Sequence, residues 1–272
     1  MLGEGSFGRV FRAKNKKLGA KKYVAIKQIE KDNLDQEEFE MQFREIEVLK
    51  TIRKVIPGAI KLQDVFEDEY YIYTVLEYME GHDLYEYSNN VELNETHIRR
   101  IMLQLSETLR DLHRAGVLHC DIKLENIMMS HRANSDHEVP GQAKMIDFGL
   151  SSVILPGQRC TKRFGTLAFC SPELILSNPY REGADVWSLG VCLFVLIANE
   201  LPFRGSDKFS TMRRIVGQKY LEFSKAPWEH VSALAKDVLI RMLDKEQATR
   251  ITAENLLNHE WFQLPSPPNS IL

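Results

Sequence analysis

Two short runs of the chain hold most of its chemistry: His119-Cys120-Asp121-Ile122-Lys123-Leu124-Glu125-Asn126 and Asp147-Phe148-Gly149. Asp121 is a candidate base that accepts or orients a hydroxyl proton, and Lys123 is a cation suited to a transferring phosphoryl group. Asn126 and Asp147 supply the hard oxygen ligands that Mg²⁺ prefers. His119 and Phe148 read better as packing and positioning residues than as proton carriers.

A second cluster lies at the start of the chain. Gly3-Glu4-Gly5-Ser6-Phe7-Gly8 is followed by Arg9-Val10, and its glycines let backbone N–H groups approach phosphate oxygens without Cβ obstruction. Alone, this spacing also fits a dinucleotide fingerprint or a plain hairpin turn. The dinucleotide reading needs a helix directly after the glycines, and Val10-Phe11-Arg12-Ala13 looks like a strand. A phosphate-covering β-hairpin is therefore expected. Lys27, in Val24-Ala25-Ile26-Lys27, sits in a β-branched strand where an ammonium could be held against phosphate. Such a tetrapeptide in isolation is more often a solvated strand.

The elements that must carry these residues are legible in outline. Val10 to Ala13 and Tyr23 to Lys27 read as strands around a polar Lys/Asn/Gly loop. Gln36 to Ile52 repeats apolar positions at helical spacing, Phe39, Phe43, Ile46 and Leu49, with Glu and Lys/Arg between them. Ile60 to Phe66 and Tyr70 to Tyr78 follow as β-rich runs, and the second ends in Glu77-Tyr78-Met79-Glu80-Gly81, where a hinge is expected. Beyond it helices dominate: 95–115, 185–198, 206–217, 232–243 and 253–257. The polar stretch from Ser130 to Gln142 reads as a surface loop, and the Pro-rich tail from Leu264 as a linker.

With 272 residues, 44% hydrophobic and 27% charged, the chain is long enough for two packed lobes. The fold class is α+β, the small β-rich lobe first. A net charge of -3 recommends neither nucleic acid nor an anionic membrane as a partner. The longest apolar run, Gly190 to Ala198, is too short to span a bilayer and reads as a buried helix. Four cysteines without CxxC spacing argue against a zinc ribbon or a disulfide framework and suit a reducing, cytoplasmic compartment.

Taken in order, these motifs resemble a eukaryotic protein kinase catalytic domain over essentially the whole chain. Gly165-Thr166 and Ser171-Pro172-Glu173 match the end of that family's activation segment, Asp185 to Gly190 its central helix, and Arg250 the partner of the Pro-Glu glutamate. The resemblance implies a bilobal fold: an N-lobe over 1–76, cut short at its first strand, a hinge over 77–83, a C-lobe over 84–262 and a linker over 263–272. It implies ATP and Mg²⁺ as cofactors, with Gly3, Gly5, Gly8, Val10, Ala25, Lys27, Leu76, Glu77, Met79, Asp83 and Met128 around the nucleotide. Glu45 becomes the partner of Lys27, preferred over Glu40 and Glu47 because Glu45-Ile46-x-x-Leu49 places the apolar pair inward.

Trp228-Glu229-His230-Val231-Ser232, Arg250-Ile251-Thr252-Ala253 and His259-Glu260-Trp261-Phe262 resemble the calcium/calmodulin-dependent group, most closely the calcium-dependent protein kinases of plants and protozoa. Transfer of the γ-phosphoryl to Ser/Thr hydroxyls of protein substrates is implied. By the same resemblance Asp83 and Glu125 could receive an arginine three residues before the acceptor, with Thr166 also at the substrate; the competing reading gives Asp83 only the ribose and leaves Glu125 solvated. Rival functions are a catalytically weak pseudokinase or scaffold module and a small-molecule phosphotransferase. A monomer is expected.

Several features depart from the family pattern. Cys120 replaces the arginine that in many kinases contacts a phosphorylated activation loop, so activity is expected not to depend strictly on such phosphorylation. Because Gly3 already belongs to the phosphate loop, a cropped segment or incomplete gene product is expected. No EF-hand pattern occurs, so calcium control is expected in a region outside this chain.

Overall fold

The computed structural model describes residues 1–5, 8–14, 23–53, 55–130, 141–162, 165–223 and 226–264. Ser6 and Phe7 of the glycine loop, the β2–β3 connection, most of the Ser130–Gln142 loop and nearly all of the Pro-rich tail lie outside the described residues.

The first lobe is built on alternation. Strands β1 (Gly3–Gly5), β2 (Gly8–Lys14), β3 (Tyr23–Glu30), β4 (Leu62–Glu67) and β5 (Tyr71–Glu77) form one antiparallel sheet in the order β1-β2-β3-β5-β4. Helix α1 (Gln36–Ile52) starts at a capping box in which Asp35 accepts from the Glu38 amide and Glu38 accepts from the Asp35 amide. Its buried face carries Met41, Gln42, Glu45, Ile46, Val48, Leu49 and Ile52. Phe39 and Phe43, two of the apolar positions at helical spacing, are exposed, and their rings meet in a tilted pair at 4.8 Å. The helix turns about 100° per residue, so a face that points Glu45 at the sheet rotates both phenylalanines to its edge.

The second lobe is helical: α2 (Leu84–Asn90), α3 (Glu95–Arg114), α4 (Pro172–Ile175), α5 (Gly183–Ala198), α6 (Lys208–Gly217), α7 (Ala233–Met242), α8 (Ala253–Leu257) and α9 (Glu260–Gln263). Between α3 and α4 lie the short strands β6 (Val117–Leu118), β7 (Ile127–Met129), β8 (Ala143–Met145) and β9 (Ser152–Val153), paired β6 with β9 and β7 with β8. Helix α5 contains the apolar run and is buried almost throughout, as its composition required. Gly190 lets α7 approach it, since a Cβ there would lie 2.9 Å from Met242 Cβ. No helix among the described residues is long and apolar enough to cross a membrane.

One buried ion pair ties the first turn of α4 to the far end of this lobe. Arg250 Nη1 and Nη2 donate to Glu173 Oε1 and Oε2 at 2.6 and 3.0 Å, and Arg250 Nη1 also reaches the Gly183 carbonyl at 2.8 Å. A bidentate guanidinium with its remaining donors used is the arrangement that tolerates burial. Glu173→Ala strands that cation and is expected to cost about 3–5 kcal/mol of stability. Urea unfolding checks this, and Glu173→Leu combined with Arg250→Met should cost less than the two single losses together.

Candidate active site

The sheet places the nucleotide-side candidates by register. Val10 lies opposite Lys27 on β2 and β3, while Ala25 lies opposite Leu76 and Lys27 opposite Thr74 on β3 and β5. Directly paired residues project to the same face, so these positions line one side of the sheet. The β1–β2 hairpin pairs Gly3 with Val10 and Gly5 with Gly8. A Cβ at Gly8 would lie 2.2 Å from the Gln28 carbonyl oxygen, so only glycine lets the hairpin sit this close to β3.

Lys27 Nζ donates to Glu45 Oε2 at 2.7 Å, and both side chains are largely buried. Glu47 faces outward to Lys50 at 2.8 Å, and Glu40 is exposed. Burial works against the Lys27 charge, but Glu45 and Asp147 outweigh it and hold its pKa above the ordinary lysine value. The ammonium is therefore fixed and charged between residues of both lobes.

At the end of β5, the Glu77 amide donates to the Lys61 carbonyl at 2.9 Å, and its carboxylate accepts from the Lys61 amide at 2.9 Å and from Lys144 Nζ at 2.5 Å. The amide is committed to the sheet edge, which leaves the carbonyl as the Glu77 backbone group able to face a base. Leu76 and Met79 are half-buried against the main core. Asp83 pairs with Met128 in an isolated β-bridge, and the Met129 amide donates to the His82 carbonyl at 2.9 Å. Asp83 also caps α2, its Oδ1 accepting from the Glu86 amide at 2.8 Å.

The loop between β6 and β7 is held from below by Asp185. Its Oδ2 accepts from the His119 amide at 2.9 Å and meets His113 Nε2 at 3.1 Å, while its Oδ1 accepts from the Cys120 amide at 2.9 Å. Cys120 adopts φ 66, the left-handed region, so the loop turns sharply just before Asp121. The sequence marked Asp185 as the start of an apolar helix and of a run resembling the kinase central helix, not as a support of the catalytic loop. Its one visible signal was a carboxylate in the first turn of a helix otherwise built for burial.

Asp121 is locked from four directions. Oδ2 accepts from Lys123 Nζ at 2.8 Å and Asn126 Nδ2 at 2.9 Å; Oδ1 accepts from the Thr166 amide at 3.0 Å and its hydroxyl at 3.1 Å. Lys123 Nζ also donates to Thr166 Oγ1 at 3.1 Å. Burial alone would raise the Asp121 pKa, but Lys123 and the Thr166 hydroxyl outweigh it and keep the group below the ordinary aspartate value.

Asp147 reaches the same site from the other side, at φ 60, with Oδ1 accepting from the Gly149 amide at 3.2 Å. A Cβ at Gly149 would lie 3.1 Å from Asp147 Oδ1 and 3.6 Å from Glu45 Oε2, so the three meet in one cradle. The Ile146 amide donates to the Asn126 carbonyl at 2.9 Å, and His119 Nε2 lies 3.1 Å from the Ile146 carbonyl, which fixes the two loops together. Asn126 Nδ2 is spent on the Asp121 carbonyl and carboxylate, so its side-chain oxygen is the end left for a cation. With Asp147 this gives two hard oxygen donors, a set that fits Mg²⁺ held jointly with phosphate. Glu125 is exposed and has no hydrogen-bond or ion-pair partner among the described residues.

Residues 1–262 match the protein kinase domain model. The chain is 34% identical to mouse serine/threonine-protein kinase 33 over 96% of its length, covering 53% of that protein. It is 32% identical to calcium-dependent protein kinase 4 of Plasmodium berghei over 100% of its length, covering 50% of that protein. It is 33% identical to the human SNF-related serine/threonine-protein kinase over 98% of its length, covering 33% of that protein. The chain belongs to the protein kinase domain family. Two of these relatives are named as serine/threonine-protein kinases and the third as a calcium-dependent protein kinase, and the chain spans about a third to a half of their length.

Asp185 has an acid signature. Burial pushes its pKa up, but His113 and the amides it holds push it further down, so the folded value lies below the unfolded one. A depressed carboxylate contributes stability above its unfolded pKa and loses it as pH falls through the folded value. Asp185→Asn is therefore expected to melt lower than wild type at pH 7, with the difference shrinking below about pH 4. Thermal melts of both proteins from pH 3 to 7 measure this.

Proposed function

We propose that this domain transfers the γ-phosphoryl of ATP, with Mg²⁺, to Ser/Thr hydroxyls of protein substrates. The observation that carries the reading is the Asp121 carboxylate, ionised and fixed among Lys123, Asn126 and Thr166. Phosphoryl transfer passes through a loose transition state, so catalysis is mostly positioning and charge neutralisation. Asp121 orients the substrate hydroxyl and takes its proton; Lys123 faces the transferring group; Lys27, steadied by Glu45, holds the nucleotide phosphates. Mg²⁺, when bound, neutralises phosphate charge, and Asn126 Oδ1 and Asp147 are the residues that would hold it.

Asp83 and Glu125 are the groups we assign to an arginine upstream of the acceptor. Glu125 supports this by being exposed and unpaired. Asp83 has one carboxylate oxygen engaged as a helix cap, which leaves the other for a guanidinium. Activity without activation-segment phosphorylation is supported by Cys120, which offers a phosphate no bidentate partner. A calcium-responsive region outside this chain is suggested by the name of the Plasmodium relative, a calcium-dependent protein kinase. The described cysteines are all free thiols, which supports a reducing, cytoplasmic setting.

Asp121→Asn is expected to lower kcat by about 10²–10⁴-fold with little change in ATP affinity. Equal, negligible turnover in wild type and variant would favour a scaffold role. On peptides differing only in arginine or alanine three residues before the serine, wild type is expected to prefer arginine about tenfold or more, since each 1.4 kcal/mol of a charge-assisted contact is tenfold. Glu125→Ala should erase most of that preference. An equal rate on both peptides would remove the arginine assignment, and phosphatase treatment should leave wild-type turnover unchanged.

A further inference from the structure

Cys120 and Cys160 are far apart in the chain yet meet at one hydroxyl. Cys160 Sγ donates to Tyr180 Oη at 3.2 Å, and the Tyr180 hydroxyl donates to Cys120 Sγ at 3.8 Å. Neither backbone is free to drift. Cys160 and Tyr180 exchange both main-chain hydrogen bonds, at 2.8 and 2.9 Å, and the Cys120 amide is fixed on Asp185 at 2.9 Å. Leu118, Ala184, Cys160 and Tyr180 form a small apolar cluster, with Cys120 packed against it.

The two sulfurs differ in character. The Cys160 pKa falls to about 5 despite burial, with the neighbouring Cys120 thiol the main cause and the Tyr180 hydroxyl and the Lys162 backbone smaller ones. Cys120 moves the other way, pushed up by the neighbouring Cys160, burial and the nearby Asp185 carboxylate. The first proton of the pair therefore leaves Cys160, giving a thiolate beside a thiol. The other two cysteines are poor competitors: burial and Asp121 push Cys170 up to about 11, and Cys192 is buried inside α5.

We propose that Cys120 and Cys160 form a peroxide-sensitive dithiol that closes into a disulfide, stapling the loop that carries Asp121 to the activation segment that carries Thr166. Hydrogen peroxide is the oxidant. The Cys160 thiolate attacks one peroxide oxygen, the O–O bond breaks, and the departing hydroxide takes a proton to leave as water. Cys160 is then a sulfenic acid. The Cys120 sulfur attacks the Cys160 sulfur, the S–O bond breaks, and the hydroxyl leaves as a second water with the Cys120 proton. Two thiols and one peroxide give one disulfide and two waters.

The test treats the whole domain with hydrogen peroxide, blocks the remaining thiols by alkylation and maps peptides by mass spectrometry. The expected product is one Cys120–Cys160 cross-linked peptide pair lacking two hydrogens, restored by dithiothreitol. Trypsin cleavage after Lys162 should slow severalfold in the oxidised protein and recover on reduction. Cys120→Ala, which removes the resolving thiol, should instead accumulate a sulfenic acid at Cys160 that dimedone traps. Both cysteines still alkylating fully after peroxide would overturn the proposal. So would a bond from Cys120 to Cys170, or oxidation of Cys160 to sulfinic acid in the wild type while Cys120 stays free. The wild-type measurement decides even where a variant fails to fold.

Discussion

A single buried carboxylate, Asp185, governs the geometry of the site. It accepts the amides of His119 and Cys120 and contacts His113, so the backbone entering the catalytic loop is fixed by hydrogen bonds to a charge. An ionised group this deep is stable only when its lone pairs are used, and these are. Its place in the first turn of α5 adds the favourable field of a helix N-terminus. In return the loop tolerates a left-handed residue at Cys120, a conformation that costs a non-glycine residue on the order of 1–2 kcal/mol. Asp121 points into the site because that turn is made.

The remaining parts reach the same place along rigid routes. Lys27 comes from the centre of a five-stranded sheet and Glu45 from a capped helix, so their contact reports how the two elements pack. The paired strands β7 and β8 set the spacing between Asn126, just before one, and Asp147, just after the other. Glu77 joins the end of β5 to β8 through Lys144, so the sheet of the first lobe and the metal-side strands of the second move as connected pieces. Preorganisation of this kind is what a reaction dominated by electrostatics demands.

The fold class was legible because it rests on local patterns: alternation in the strands, helical spacing beyond residue 81, and a 16-residue α5 too apolar for any surface. Element ends were less legible. The expected start of α6 at Ser206 falls at Lys208, because Asp207 takes the cap position with Ser210 closing the box. Apolar spacing in α1 identified the stripe Phe39, Phe43, Ile46 and Leu49 but not which part of it a tertiary ion pair would turn inward, and the two phenylalanines stay exposed. Short motifs named the loop residues without their supports. Asp185, His113 and Tyr180 act through contacts spanning 60 or more positions of sequence, which no local pattern encodes.

Cys120 shows what that long-range information adds. From the sequence it is a missing guanidinium, a loss. In the structure its side chain enters an apolar cluster, and the segment bearing Thr166 is docked by the Cys160–Tyr180 main-chain bridge and by Thr166 itself on Asp121. A guanidinium buried at this point beside Tyr180 and Ala184 would need an anion to compensate it, whereas a thiol needs none. The hydrogen bonds that place Thr166 on Asp121 thus close without any added phosphate. What the position gives up in response to phosphate it gains in response to whatever chemistry a pair of thiols can undergo.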